Sequence, residues 1–581
     1  MTPIRFQIPR GLLRRLVAGA VFGLYTGHLL FYLNPQMDSS TGRLAAVTFL
    51  YALLGAAVFG TLLWLLRLLR RKIIPPGEPR QHGFGIIAFS VFFSALLYWS
   101  HLATLRIYLP KQTVDMLANA ATIIGAASFV LFLLWLIERN ASRRTSDLIL
   151  ACGVALVLLS VFFLHQRRAI YPPEVVATEV ATVAPAPKER RVVVIGVEYL
   201  PFDWIVTIRG ETTLPWFEAM SERSFIGRVE AFPTTTSRAL WASLATGKLP
   251  YRHGVTGRWA YHTLINREGE DLLMLPNGIN FRRWGLLPPI ERSTAHLPTG
   301  RAIPFWSIFE RVGRKSAVIN WPSTEIPRSE VSLYIPSRFL RNGTDAARAE
   351  VRPGTLIPEL RALARMERLQ LSAEVREPFE SLSAPLGGVA LDALARDRVA
   401  ARMAIRSSSL TDLDLIAVSL DGLGQLQSAL DLRDGTLPDR ASVAGGAMRA
   451  YIDQLDLILQ EIAAAFPDAD LYLVSPCGPD PPHIPSDPLD FVQTWLEIEE
   501  PGSTDGILVI SGPGVAIPEN PPAAETVDFV PTLLFASGLP VARDMDGGVL
   551  TDAFTPSFLA THGLSLIPSY EAQRLVIRGR E

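Results

Sequence analysis

Cysteine is scarce in this sequence: only Cys152 and Cys477 occur among 581 residues. Cys152 lies within a long apolar run and Cys477 lies far away in a more polar region, so a disulfide between them is implausible. This excludes a disulfide framework. Because many bacterial periplasmic domains have no disulfides, the scarcity of cysteine leaves the cellular compartment open.

Positive charge is scarce in the larger part of the chain. Residues 1–170 contain 17 Lys and Arg against 5 Asp and Glu, whereas the remainder contains 38 against 51. The overall net charge of -1 therefore combines a basic amino-terminal part with an acidic remainder. Because nucleic-acid binding needs an excess of Lys and Arg on the binding face, this distribution argues against nucleic acid as a partner.

Five long apolar runs dominate the basic part. They cover residues 13–33, 44–66, 84–105, 114–137 and 148–165. Each is long enough to cross about 30 Å of hydrocarbon, which takes about 20 helical residues. Soluble cores rarely contain five such runs in succession, each flanked by Arg or Lys. Residues 1–168 are therefore predicted to form five transmembrane helices in the lipid bilayer.

The Lys and Arg residues of the short loops predict the orientation of these helices. Twelve lie before or at the beginning of the first run or after the second and fourth runs, and five lie after the other runs. Since positive loops stay in the cytoplasm, the amino terminus is predicted to be cytoplasmic. The region after His165 is then periplasmic or extracellular, in a multi-pass protein of the inner (cytoplasmic) membrane. Four polar residues near membrane depth fit either helix packing or a ligand site: His28, His101, Asp115 and Asn119.

The rest of the chain has the pattern of a linker followed by an α/β domain. Residues 169–191 are rich in proline and are predicted to be a semi-extended linker. The run VVVIGV at 192–197 is typical of a strand buried on both faces of a parallel sheet. Similar runs recur at 317–321, 414–420, 470–475 and 506–511, with amphipathic helical stretches such as 237–245, 398–405 and 447–465. Residues 192–581 are therefore predicted to form a mainly parallel sheet sandwiched by helices, with functional residues beyond the carboxyl ends of the strands.

The segment PTTTSRALWASLATGKLPYRHGVTG, residues 233–257, carries a family resemblance. It resembles the nucleophile segment of type I phosphodiesterases and nucleotide pyrophosphatases, a branch of the alkaline phosphatase superfamily. Ser237 occupies the nucleophile position, six residues before Ser243, and His253 and Gly254 follow. Similar segments occur in the same order at 304–322, 419–425, 471–479, 505–514 and 527–547. The resemblance implies an alkaline-phosphatase-like fold with residues 258–397 as an inserted cap region.

The resemblance also implies a site with two divalent cations, usually zinc, which lower the pKa of the nucleophilic hydroxyl. In this sequence the positions of the nucleophile and the metal ligands are Glu198, Ser237, Asp421, Gln425, Pro476, Cys477 and Thr504. Only Ser237 and Asp421 match the residue types of the family. A neutral amide is a poor zinc ligand and a proline side chain has no donor atom. We therefore expect no cofactor, or alternatively one zinc or other divalent ion bound by Glu198, Asp421 and Cys477.

The retained groups also have structural interpretations. Ser237 can cap its helix, and Asp421 can cap or brace the loop after its strand. Cys477 can be a small buried apolar side chain. Asp480 and His483 are either replacement ligands or members of an exposed polar loop.

Two functions follow as expectations. The first is a pseudoenzyme, a binding or scaffolding domain with protein partners in the cell envelope. The second is a metal-dependent phosphodiesterase or phosphoryl-group transferase with an unorthodox metal site, acting on envelope or lipid-linked substrates. The layout of five helices and an outer domain also resembles that of envelope phosphoethanolamine and phosphoglycerol transferases. A transporter has little support without paired intramembrane charges.

Overall fold

The structure is a computed structural model. It describes residues 10–35, 37, 41–73, 84–138, 143–167, 180–183, 190–232, 237–255, 259–262, 272, 274, 291–294, 302–322, 331–342, 350–374, 379, 381–410, 412–432, 436–479, 505–571 and 574–577. The chain divides into two compact units. The first contains residues 1–175, 259–294 and 484–498, and the second contains residues 176–258, 295–483 and 499–581.

The helices of the first unit are α1 (Arg10–Leu33), α2 (Thr41–Gly55), α3 (Thr61–Ile73), α4 (Phe84–Leu105), α5 (Lys111–Glu138) and α6 (Arg143–Arg167). A π-helical turn, Ala56–Gly60, joins α2 to α3, and a 3-10 turn, Arg106–Tyr108, follows α4.

The helices of the second unit are α7 (Phe202–Glu211), α8 (Pro215–Ser221), α9 (Ser237–Thr246), α10 (Pro250–His253), α11 (Phe305–Arg311), α12 (Ser337–Asn342), α13 (Ile357–Glu374), α14 (Ala384–Leu410), α15 (Gly422–Ala429), α16 (Val443–Ala465), α17 (Phe529–Ala536) and α18 (Pro556–Thr561). Its 3-10 turns are Gly354–Leu356, Thr526–Asp528 and Thr551–Ala553.

The strands are β1 (Val180–Val183), β2 (Val192–Val197), β3 (Phe225–Glu230), β4 (Trp259–His262), β5 (Glu291–Thr294), β6 (Ser316–Ile319), β7 (Leu333–Ile335), β8 (Leu415–Leu420), β9 (Asp470–Ser475), β10 (Gly506–Ser511), β11 (Ala524–Glu525), β12 (Val541–Ala542), β13 (Leu566–Ile567) and β14 (Arg574–Ile577). Strands β4 and β5 belong to the first unit and the others belong to the second.

Five helical stretches among the described residues are long and apolar enough to cross a membrane. They are Leu12–Leu33, Gly42–Leu69, Phe84–Ala103, Lys111–Glu138 and Leu148–His165. The second stretch runs through α2, the π-helical turn and α3. The five apolar runs predicted from the sequence are therefore confirmed as helices of membrane-spanning length.

A row of glycines on α1 allows close packing against α2. Gly19, Gly23 and Gly27 are four residues apart and therefore lie on one face of the helix. A Cβ atom at Gly23 would overlap the carbonyl oxygen of Tyr51, and one at Gly27 would lie 2.9 Å from the Cα of Thr48. Small residues at such a crossing let two apolar helices approach closely and gain dispersion contacts.

The second unit is built on an eight-stranded sheet with the order β11-β3-β10-β9-β2-β8-β6-β7. Strand β10 is antiparallel to both of its neighbours, β3 and β9. The other neighbouring pairs in the sheet are parallel. The mainly parallel sheet predicted from the sequence is thus confirmed.

Strand β2 lies at the centre of this sheet and is buried on both faces. Val193, Ile195 and Val197 point into one core, together with residues of α14 and α16. Val192 and Val194 point into a second core, together with residues of α9, α11 and α17. Helices therefore cover both faces, which explains why this strand has no polar alternation in its sequence.

The predicted linker, residues 169–191, contains strand β1, which pairs in parallel with β14 near the carboxyl terminus. Strands β4 and β5 lie inside the predicted cap region, residues 258–397, and belong to the unit of the apolar helices. The proposed boundaries of helix region, linker, domain and cap stay a prediction.

Gly196 of β2 is the position where the sheet has no space for a side chain. A Cβ atom there would lie 2.8 Å from Cη2 of Trp241 and 3.3 Å from Cζ3 of Trp321. We predict that Gly196→Ala lowers stability by about 1–3 kcal/mol, because both rings are buried and must move. The measurement is the thermal unfolding midpoint of the full chain in detergent. The matched control is Gly210→Ala, since a Cβ at that exposed helical glycine meets no atom within 4 Å. Equal midpoints for the two variants would contradict the prediction.

Candidate functional site

The candidate site begins where two central parallel strands end. In the register of β2 and β8, Val197 lies opposite Leu420. The backbone N–H of Glu198 donates to the carbonyl of Leu420 over 3.0 Å. Glu198 and Asp421 therefore leave neighbouring strands at the same edge of the sheet, although 222 residues separate them in the sequence.

Glu198 packs over the first turn of α15. Its Cγ and Oε2 atoms lie 3.0 and 3.2 Å from the point where a Cβ of Gly424 would be. The next residue, Tyr199, has a left-handed backbone with φ of 58°. Its carbonyl accepts a hydrogen bond of 2.9 Å from Nε2 of Gln427. The beginning of α15 thus positions Glu198, and the positive end of the helix dipole favours a carboxylate there.

Asp421 is buried beside a second carboxyl group that the sequence reasoning missed. Asp421 occupies the N-cap position of α15, but its side chain makes no capping hydrogen bond. In α14, Asp397 Oδ1 accepts from the N–H of Gly422 over 3.1 Å. Asp397 Oδ2 accepts from the hydroxyl of Tyr451 over 2.9 Å. Burial, and after it the charge of Asp421, raises the pKa of Asp397 to about 8. A carboxylate on the buried face of an amphipathic helix was the available sequence signal.

Gln425 lies one helical turn after Asp421, and its backbone N–H donates to the carbonyl of Asp421 over 3.3 Å. The spacing of four residues puts the side chains of Asp421 and Gln425 on the same side of the first turn of α15. Within the described ranges, Nε2 of Gln425 is buried without a hydrogen-bond partner. An amide therefore stands where the family resemblance expects an imidazole.

The segment after β9 borders the other side of the end of β2. Ser475 Oγ accepts from the N–H of Leu200 and donates to the carbonyl of Cys477, each over 3.0 Å. Pro476 is buried, and Cys477 is a free thiol with 0% exposure. Strand β10 begins at Gly506, next to this turn. Thr504, Asp480 and His483 lie outside the described residues.

Ser237 is the first residue of α9 and is half-buried. Trp241 follows one helical turn later on the same face and packs on Gly196, two residues before Glu198. This contact packs α9 on β2 close to the end of the strand. The structure thus brings the positions of Glu198, Asp421, Pro476 and Cys477 to one end of the sheet, whereas for Ser237 it gives the packing of its helix on β2 and no direct contact with these residues.

The His-Gly pair of the nucleophile-like segment has a structural role. His253 Nδ1 accepts from the N–H of Val255 over 3.1 Å, so the ring proton is on Nε2. Nε2 therefore donates to the hydroxyl of Ser243 over 2.9 Å. Burial, and after it the charge of Lys248, lowers the pKa of His253 to about 3. Gly254 ends α10 with a φ of 77°, a conformation that glycine adopts without strain.

The carboxyl-terminal segment that resembles the family, residues 527–547, stabilises the turn after α9 through hydrogen bonds and an ion pair. Asp546 accepts hydrogen bonds from the N–H of Leu249 over 2.8 Å and from Nε of Arg252 over 2.9 Å. Lys248 is buried and its Nζ lies 2.7 Å from Oδ2 of Asp544. These contacts explain why two motifs almost 300 residues apart occur together.

The residues present do not fit a two-metal centre. Such a centre carries a charge of about +4 and needs several carboxylate, imidazole or thiolate donors. Glu198 and Asp421 supply carboxylates, but Gln425 is neutral and Pro476 has no donor. No group of three or more His, Cys, Asp or Glu is placed to hold a metal ion in the part of the chain that the structure describes.

Because His253 is buried and neutral, we predict that the folded state loses stability in acid. Its pKa is depressed in the folded state, so the unfolded chain takes up a proton below about pH 6.5 while the native state does not. The stability from this site is complete above pH 6.5. It is lost as the pH falls towards 3, by at most about 1.4 kcal/mol per pH unit. We expect His253→Gln to have a flatter decrease of unfolding midpoint between pH 6.5 and 4 than the unchanged chain. Parallel profiles of the two proteins in detergent would contradict this assignment.

Comparison with known proteins places this geometry in a family. The family model described as type I phosphodiesterase / nucleotide pyrophosphatase matches residues 192–528. No curated protein matches the chain. A structure of murine ectonucleotide pyrophosphatase / phosphodiesterase 5, inactive and in complex with AMP, is 12% identical with a TM-score of 0.37 and covers 63% of this chain and 100% of that one. Wild-type alkaline phosphatase PafA is 11% identical with a TM-score of 0.42 and covers 64% and 100%. Because the family match extends over more than half of its residues, the chain belongs to the type I phosphodiesterase / nucleotide pyrophosphatase family of the alkaline phosphatase superfamily.

Proposed function

We propose that this chain is a catalytically inactive member of the family. Its apolar helices hold it in the membrane, and its phosphodiesterase-like region serves as a binding or scaffolding domain of the cell envelope. The observation that carries the proposal is the side-chain chemistry at the carboxyl ends of β2, β8 and β9. At the positions expected to bind metal, this edge has a half-buried amide, a buried proline and a fully buried thiol.

Loss of the cations removes the means by which a hydroxyl becomes a nucleophile in this family. A serine hydroxyl is weakly nucleophilic at neutral pH unless a metal or a base activates it. His253, the histidine of the nucleophile-like segment, already uses both ring nitrogens in hydrogen bonds. Ser237 then functions as the first residue of α9 and not as an attacking group.

The charge of the edge also disfavours a phosphate ester. Glu198 and Asp421 bring two carboxylates to neighbouring strand ends, and Asp397 lies beside Asp421. Like charges at short distance repel unless cations neutralise them. A phosphate ester therefore needs a compensating ion to approach this edge, and the donor set is poor for binding one.

The predicted consequence is that Ser237→Ala has little effect on the protein. We expect it to lower the free energy of unfolding by at most about 1 kcal/mol, the value of a helix cap. Ser237→Asp should cost more, because it adds a negative charge at a half-buried position. Unfolding midpoint and abundance of the full chain are the measurements, and Ser237→Thr, which keeps the hydroxyl, is the matched control.

The same preparations decide between the proposal and the enzymatic alternative. The purified full chain is analysed for bound metals and for turnover of a generic aryl phosphodiester. We expect substoichiometric zinc and no turnover that depends on Ser237. Two zinc ions per chain, or turnover that Ser237→Ala abolishes and Ser237→Thr retains, would refute the inactive assignment. One bound divalent ion lost on replacing Glu198 or Asp421 would instead support a phosphodiesterase or transferase with an unorthodox metal site.

We further propose that the amino terminus is cytoplasmic and that the region from about residue 170 onward is periplasmic. The support is the distribution of Lys and Arg, twelve on the predicted inner side and five on the other. The proposed location is the inner membrane, with envelope proteins as the partners.

Reporter fusions test this orientation. An alkaline phosphatase reporter fused after Ala177 should be active, because that enzyme folds only outside the cytoplasm, and one fused after Arg144 should be inactive. A fluorescent protein that matures in the cytoplasm should give the reverse pattern at the same two positions. Activity after Arg144 together with inactivity after Ala177 would invert the topology.

A further inference from the structure

The turn between α1 and α2 contains a buried side-chain amide that pairs with a distant backbone. Asn34 is 0% exposed, and its Nδ2 donates to the carbonyl of Met274 over 2.6 Å. Its Oδ1 accepts from the N–H of Met274 over 3.1 Å. Nδ2 also donates to the carbonyl of Leu30 at the end of α1 over 2.9 Å. The amide therefore satisfies both backbone groups of one residue that lies 240 positions away.

Leu272 supplies the apolar half of the same contact. Its side chain is fully buried in a cluster made by the end of α1, the turn and the beginning of α2. The members of this cluster are Leu30, Phe31, Met37, Leu44, Val47, Tyr51 and Leu272. Leu272 and Met274 are two residues apart. The end of the α1–α2 hairpin contacts the side chain of Leu272 and forms hydrogen bonds with the backbone of Met274.

The physical chemistry of such a place explains why an asparagine is present. Backbone N–H and C=O groups brought among apolar side chains are strongly destabilising unless both are hydrogen-bonded. Asn34 offers one donor and one acceptor to Met274, as a neighbouring strand would. An aliphatic residue at position 34 would leave the N–H and C=O of Met274 without these partners.

Two paired strands flank Leu272 and Met274 in the sequence. β4 and β5 pair antiparallel, with Trp259 opposite Thr294 and His262 opposite Glu291. Leu272 and Met274 lie between these two strands in the sequence. Residues 259–294 thus lie inside the matched family region but belong to the compact unit of the apolar helices.

We propose that residues 259–294 form a docking arm and that the end of the α1–α2 hairpin is its receptor. The apolar helices then bind the family region non-covalently, through Asn34 and Leu272, in addition to carrying it on residues 169–191. In this arrangement the helices are a specific partner of the region that follows them and not an interchangeable anchor. The amide of Asn34 pairs only with backbone atoms of position 274, so the buried side chains of Leu272 and Met274 determine the register.

The test separates the covalent connection from the docking contact. A site for a sequence-specific protease is inserted between residues 170 and 178 of the full chain, which is purified in detergent through an amino-terminal tag. After cleavage, we expect the carboxyl-terminal fragment to remain bound to the tagged helices. Asn34→Ala and Leu272→Asp should each release it at least about tenfold faster, because each leaves buried groups unsatisfied. Matched controls are Asn119→Ala, at an exposed asparagine of α5, and Leu369→Asp, at a leucine with 71% exposure in α13.

Two outcomes would overturn the docking arm. One is immediate release of the fragment from the cleaved but otherwise unchanged chain. The other is retention that Asn34→Ala and Leu272→Asp do not weaken more than the controls do. The release rate of a variant is compared only if the second unit of the uncleaved variant has the same unfolding midpoint as in the unchanged chain. Asn34→Gln, which keeps an amide on a longer side chain, provides a further variant, with partial retention expected.

Discussion

The position of β2 between β8 and β9 is the constraint on which the candidate site depends. A strand buried on both faces must place all its backbone N–H and C=O groups in the sheet ladder, because no water reaches them. Its parallel register with both neighbours brings Glu198, Asp421 and the turn at Ser475 to one edge. The hydrogen bonds from Glu198 to Leu420 and from Leu200 to Ser475 extend that register beyond the strand.

The same geometry creates an electrostatic problem, since it gathers carboxyl groups in a buried place. Metal ions solve this problem in the family that the chain belongs to. Here the raised pKa of Asp397 provides another solution, because a proton on that carboxyl removes one of the negative charges. Tyr451 and the backbone of Gly422 hold the carboxyl group in place. The protonated form of Asp397 therefore reduces the repulsion between the carboxyl groups that the strand ends bring together.

The two compact units use the same means for close packing, but with different partners. In β2, Gly196 leaves space for the rings of Trp241 and Trp321, which links α9 to the centre of the sheet. In α1, the glycine row lets α2 approach to backbone contact, and Asn34 then closes the hairpin end by pairing with Met274. In the second unit, the missing side chain of Gly196 makes room for the two tryptophan rings. In the first unit, the side-chain amide of Asn34 provides hydrogen bonds for the backbone of Met274.

The sequence by itself determined the local elements and the family. Five apolar runs specified helices, continuous β-branched runs specified buried strands, and the order of the motifs specified an alkaline-phosphatase-like sheet. It also predicted a weak metal site, because the absence of a donor atom in Pro476 is a property of the residue. Tertiary structure alone decided that Asp397 lies beside Asp421, that His253 is locked as a neutral donor to Ser243, and that Met274 pairs with Asn34. These contacts join residues up to 240 positions apart, and local periodicity contains no information about which distant backbone or side chain will satisfy a buried polar group.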